Sequence, residues 1–314
     1  MMFRRYRLSW RLVRSCLSFL STHSDLLLFP ILTILFVALI IVITGVGILL
    51  WVHFDFSIFS QLTVVQQTLL TFIYYVVSYS LGIYTNTALV AVVLQLLAGQ
   101  PINMRAGWQV ANERLWSILG YALIMATVGM VLRLIFKPIG KLGSFVAPIF
   151  TRTAAFTFVG LAWNLVPYFV VPVLVAENPG AVPVIRRSSS LIRQKWGEDV
   201  VVNASIWLIF ALPLLVVLLL GAPAIGWAIA TLDEWRIIWI VYCVTLLVLL
   251  TFLFKMALDS IFAAVVYRYA TTGEIHAYFH EEDLHSAFVN RPSRTVNAIR
   301  SWLAYPARFF RRQQ

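Results

Sequence analysis

The chain has 314 residues, 61% of them hydrophobic, and its 24 basic and 13 acidic residues make up only 12% of it, about half the charged share usual in soluble domains. Together with a mean hydropathy of +0.87 and apolar runs longer than the roughly 20 residues that cross a bilayer, this excludes a soluble globular domain and indicates an all-α polytopic membrane protein. The formal net charge of +11 sits in short clusters beside the apolar runs, so the expected partner is anionic phospholipid and not nucleic acid.

Near the N-terminus, Phe3, Tyr6, Trp10, Val13, Leu17 and Leu20 recur at spacings of three and four, with Arg4, Arg7, Arg11 and Arg14 flanking them. That pattern predicts an amphipathic helix lying in the membrane interface, its arginines on lipid headgroups. Residues 26–51 are the first expected span. Basic residues before an apolar run resemble a signal peptide, but this run is too long and has no small-x-small cleavage site, so it reads as uncleaved. Residues 62–98, interrupted only by Gln66, Gln67, Asn86 and Gln95, exceed one membrane thickness, and one end is expected to project into the interface. Residues 115–134, 145–176 (bent by Pro148, Pro167 and Pro172), 200–230 and 235–269 complete six spans. Between the third and fourth, Arg133, Lys137 and Lys141 oppose the charge rule; a helix in the outer interface or a re-entrant turn would reconcile them. Counting 18 of the 24 basic residues on one side of this topology places both termini in the cytoplasm.

Two further basic, Trp-containing segments, 104–116 and 184–196, precede the third and fifth spans as the first amphipathic segment precedes the first. Arg186 and Arg187 in the latter are further expected headgroup contacts. The ends of the second and sixth spans, Ala91-Val-Val-Leu-Gln-Leu-Leu-Ala-Gly99 and Ala264-Val-Val-Tyr-Arg-Tyr-Ala-Thr-Thr-Gly273, align if one residue is inserted. The expectation is a six-span domain over 1–275 built from three units, 1–100, 101–180 and 181–275, followed by a basic cytoplasmic tail over 276–314. The positive-inside rule and the aromatic belt also produce such segments without duplication.

Ser9-Trp-Arg-Leu-Val-Arg14, Asp25-Leu-Leu-Leu-Phe-Pro30, Val171-Pro-Val-Leu-Val-Ala-Glu177, Arg187-Ser188, Trp196-Gly-Glu198, Tyr267-Arg-Tyr-Ala-Thr-Thr-Gly273 and Ser286-Ala-Phe288 together resemble an uncharacterised prokaryotic integral membrane family, a domain of unknown function. The likeness covers nearly the whole chain except 133–151. It implies a multi-pass protein of the bacterial inner membrane and brings no activity, ligand or catalytic residue.

Few residues invite chemistry. Lys255 and Asp259, four apart in the sixth span, share a helix face and are expected to pair, since either charge alone near the bilayer centre costs about 2.5–3.5 kcal/mol. The pair reads either as a packing device or as a proton or ion relay. Arg152 and Glu177 fall near span ends, where long side chains reach the interface. His276, His280 and His285 stand beside three acids, but no His-Glu-x-x-His occurs, and a solvated tail accounts for them; His53 and Asp55 read as a loop. Gly-x-Ser-x-Gly, P-loop and dinucleotide motifs are missing, so no enzyme activity, cofactor or metal is expected. Cys16 and Cys243 fall at different depths and give no disulfide framework. Two readings stand: a non-enzymatic membrane scaffold gripping anionic lipid, and a transporter or channel-like protein using Lys255 and Asp259. Homo-oligomerisation is left open.

Overall fold

The computed structural model describes residues 2–52, 63–142, 168–196, 201–230, 234–274 and 278–279. Nine α-helices occupy them: α1 (Met2–Thr22), α2 (Leu28–Val52), α3 (Val64–Leu97), α4 (Met104–Glu113), α5 (Leu115–Leu142), α6 (Val170–Glu177), α7 (Ala181–Trp196), α8 (Val201–Ala230) and α9 (Glu234–Thr272). A 3-10 turn, Ser24–Leu27, joins α1 to α2.

Local chemistry sets the helix ends. Thr63 and Gln66 form a reciprocal capping box at the start of α3, and the Asn103 side chain accepts from the Ala106 amide at the start of α4, each satisfying donors that a first helical turn leaves open. At the other end, Gly99, Asn178 and Gly273 hold φ of 77°, 48° and 73° within two residues of the ends of α3, α6 and α9. Glycine or asparagine enters this left-handed conformation at little cost and turns the chain out of the helix.

Three helices are long and apolar enough to cross a membrane, over Ser24–Gly47, Val64–Leu97 and Trp235–Thr272, and a fourth arises if α4 and α5, bent by 64°, form one broken span. The described residues therefore carry three or four such helices rather than the six expected. Residues 145–167 of the expected fourth span lie outside the described residues. Pro213 and Pro223 lie inside α8, a helix of 30 residues, of which the described side chains cover the apolar stretch Pro213–Trp227. The segment after the third expected span is neither a separate interfacial helix nor a turn as far as Leu142, because α5 runs through Arg133, Lys137 and Lys141 unbroken.

The core lies where α3, α6 and α9 meet. These three pack on one another, and α3 also carries α2, α4 and α5. Ala88, Leu89, Val92 and Val93 of α3, Val170 and Val173 of α6, and Ala257, Ile261, Ala264 and Val265 of α9 fill the contact. The opposite halves are different: α3 from Val64 to Tyr79 and α9 from Trp235 to Phe254 expose large apolar side chains over most of their surface, α9 keeping one face against α8. A helix apolar on every side needs an apolar surrounding, and lipid supplies one.

The amphipathic segments are helices, but their apolar faces do not lie open for lipid as the pattern predicts. In α1, Leu12, Val13, Cys16, Phe19 and Leu20 are buried against protein, while Trp10 (49% exposed) and Leu17 (38%) sit at the edge of that face. In α4, Gly107 and Ala111 are buried, and in α7, Val184, Ser188 and Leu191. The buried ridge of α1 is rotated from the expected stripe because α8 and α9, not a flat interface, cover it. Together the three helices form a collar around the core.

Candidate intramembrane ion pair and its surroundings

Helical spacing brings Lys255 and Asp259 onto one face of α9, where Lys255 Nζ donates to Asp259 Oδ2. Both side chains remain about one-third exposed, 31% and 35%. One residue on, the Ser260 hydroxyl lies 2.7 Å from Asn86 Oδ1 of α3 and 2.8 Å from the Met256 carbonyl, donating to one at a time. On the other side of α3, Thr33 Oγ1 of α2 lies 2.7 Å from Thr85 Oγ1. Thr85 in turn donates to the Leu81 carbonyl at 3.1 Å. These contacts tie α2, α3 and α9 at a single level, the upper boundary of the packed core. Cys16 of α1 reaches the same level; burial, helped by the negative Asp259 carboxylate, pushes its thiol well up from the usual range.

A second polar group joins α6, α7 and α9. Arg187 Nε lies 2.9 Å from both carboxylate oxygens of Glu177, and the Tyr267 hydroxyl donates to Glu177 Oε1 at 3.1 Å. Sequence reading treated Glu177 as a residue near a span end and missed this contact. Ten residues and a left-handed turn separate Glu177 from Arg187, so no periodic spacing signals it. The Asn86–Ser260 contact was equally hidden, being a pairing between distant helices.

Of the expected headgroup contacts, Arg11, Arg14 and Arg186 are exposed, whereas Arg187 is engaged by Glu177. The side chains of Arg4 and Arg7 lie outside the described residues, as do His53, Asp55, Arg152, His276, His280 and His285. Among the described residues no three His, Cys, Asp or Glu side chains come together to hold a metal ion. Cys16 is buried and Cys243 exposed, both as free thiols.

Where α1 ends, an aromatic cluster forms. The Phe19 ring lies 4.8 Å from His23 and 5.6 Å from Tyr278, edge-on to the latter, and 6.5 Å from Phe279. His23 Nδ1 is 3.1 Å from the Phe19 carbonyl. Beside it opens a cleft of about 480 Å³ lined by Phe19, His23, Leu96, Gln100, Ile102 and Tyr278.

Residues 64–277, well over half of the chain, match a family described as a family of unknown function, DUF6159. No curated protein and no solved structure matches the chain.

Proposed function

This chain belongs to the DUF6159 family of unknown function, and we propose that it is a multi-pass membrane scaffold without enzyme activity, its basic collar resting on anionic phospholipid. One observation carries this reading: among the described residues the meeting place of α3, α6 and α9 is filled mainly by apolar side chains such as Ala88, Val92, Val173, Ile261 and Ala264. In this reading the chain crosses a bacterial inner membrane several times, and both termini are cytoplasmic.

Helix geometry sets the depth. A bilayer core of about 30 Å takes about 20 helical residues, so a span beginning at the exposed Trp235 reaches the inner boundary near Lys255. Asp259 then lies about 36 Å along α9 from Trp235, past the hydrocarbon. Helix α1 of the collar packs on α9, which fits an interfacial collar. Exposed Arg11, Arg14, Arg105 and Arg186 then face lipid phosphates, where each basic residue contributes about 1 kcal/mol of attraction.

The partly exposed Lys255–Asp259 pair favours a second reading, a transporter with an acid–base pair in its path. Its depth speaks against a midplane site of the kind that alternating access uses. Proteoliposomes holding a pH-sensitive dye separate the two. The scaffold reading expects proton and cation leakage equal to that of protein-free vesicles; a flux that Asp259→Asn abolishes would overturn it in favour of the transporter.

A further inference from the structure

Each helix of the collar serves a hairpin, and the order in which it does so is cyclic. Helix α4 follows α3 and lies on it, with the Trp108 ring 5.5 Å from Tyr84 and 5.2 Å from Phe29 of α2. Helix α7 follows α6 and lies on α6 and α5, so close that a Cβ added at Gly120 would stand 2.9 Å from Ala181 Cβ. Helix α1 lies on α8 and α9, the last hairpin of the chain.

The three helices use one spacing. Leu12, Val13 and Cys16 of α1 correspond to Gly107, Trp108 and Ala111 of α4 and to Val184, Ile185 and Ser188 of α7, so that a small residue, Cys16, Ala111 or Ser188, is buried at the same position of each. The helices they follow or cover, α3, α6 and α9, share the left-handed exit at Gly99, Asn178 and Gly273. The contacts α3–α4, α6–α7 and α9–α1 thus close a ring of three like units. Two of these links are also short covalent connections; the third, from α9 to α1, is not. At that seam Tyr278 and Phe279, a few residues beyond Gly273, return to Phe19 and His23 of α1.

We propose that α1 is a strap closing this threefold ring across its one non-covalent link, latched by Phe19, His23, Tyr278 and Phe279, and that its release exposes the buried face of α1, Cys16 included. The ring stands on packing alone; the side of the membrane from which Cys16 is reached rests on the membrane reading above. Release would uncover Cys16, which is 2% exposed with α1 in place. Helices α4 and α7 are held differently: short connections join each to the helix it lies on, whereas α1 meets α9 through packing.

Full-length protein carrying Cys243→Ser has Cys16 as its sole thiol, and a membrane-impermeant maleimide applied from the arginine-rich side of inside-out vesicles reads its exposure. Phe279→Ala, which removes a buried ring from the latch, is expected to speed modification of Cys16 by about tenfold, the signature of a local opening. A thiol placed by Ala111→Cys, in a chain also carrying Cys16→Ser and Cys243→Ser, marks the tethered helix α4 and is expected to stay slow with or without Phe279→Ala. An unchanged Cys16 rate would overturn the proposal. Equal acceleration at both positions would overturn it too, since the loosening would then be general. In detergent micelles the same contrast is expected; if it holds there while labelling in vesicles is indifferent to the side of addition, the strap survives and the membrane orientation fails.

Discussion

The residue that most constrains the collar is Gly107. A Cβ there would lie 2.6 Å from Val92 Cγ2 and 2.8 Å from the Ala88 carbonyl oxygen, so α4 approaches α3 at backbone distance. The side chain could yield, but the backbone oxygen cannot without moving α3. We expect Gly107→Ala to lower stability by about 1–3 kcal/mol, the usual cost of overpacking, read as a fall in Tm in detergent, and a Tm unchanged from the parent would contradict the close contact. The Lys255–Asp259 pair lends itself to a different comparison. Removing one partner strands a partly buried charge, whereas replacing both by packed apolar residues is often neutral. Lys255→Met alone and Asp259→Leu alone should therefore each lower Tm more than the two together; a double variant worse than either single one would point to a role beyond mutual compensation. The pair itself was legible from spacing four apart on one helix. Its depth was not, because hydropathy marks where apolar residues lie, not how far a helix of 39 residues overhangs the bilayer.

At the scale of elements, periodicity found the three amphipathic helices, and their apolar faces do turn inward as a group. It placed the α1 stripe on Trp10 and Leu17, which the structure leaves half exposed. A stripe with period 3.6 locates a helix and an approximate face, and only the neighbouring helices decide which apolar residues become core. One proline-bearing helix shows the opposite limit: Pro213 and Pro223 of α8 each remove a helical hydrogen bond, yet the helix runs from Val201 to Ala230 without a break. The buried small residue shared by the collar helices gives a prediction at this scale. Ser188→Leu in α7, at a fully buried position, should cost about 1–3 kcal/mol through overpacking. The same change at Ser189, whose hydroxyl bonds back to the Arg186 carbonyl at 2.9 Å on the exposed side, should cost less than about 0.5 kcal/mol, as surface substitutions do. Equal effects at the two sites would contradict the orientation of α7.

For the whole molecule, the division between a packed collar end and helices that expose apolar side chains over most of their surface is the feature on which the proposed function rests. In the reading proposed above, the collar is the part that meets headgroups and the rest the part that meets lipid chains. Vesicles rich in anionic lipid should raise Tm relative to zwitterionic ones, and the joint substitution of Arg11, Arg14 and Arg186 by Gln should remove most of that difference; a difference that survives would assign the stabilisation elsewhere. High salt should act in the same direction by screening the surface charges. The membrane class was evident from composition, while the packing order of the helices was not, since it depends on contacts between segments a hundred or more residues apart, such as Asn86 with Ser260. The placement of α9 in the bilayer is the claim on which the rest depends, and a nitroxide scan of single thiols from Ile238 to Ile261 in lipid vesicles measures it directly through the ratio of oxygen to water-soluble quencher accessibility. The account predicts a maximum of lipid exposure near Leu246, falling to the interfacial value near Lys255; a profile flat along the helix, or a maximum at Asp259, would contradict it.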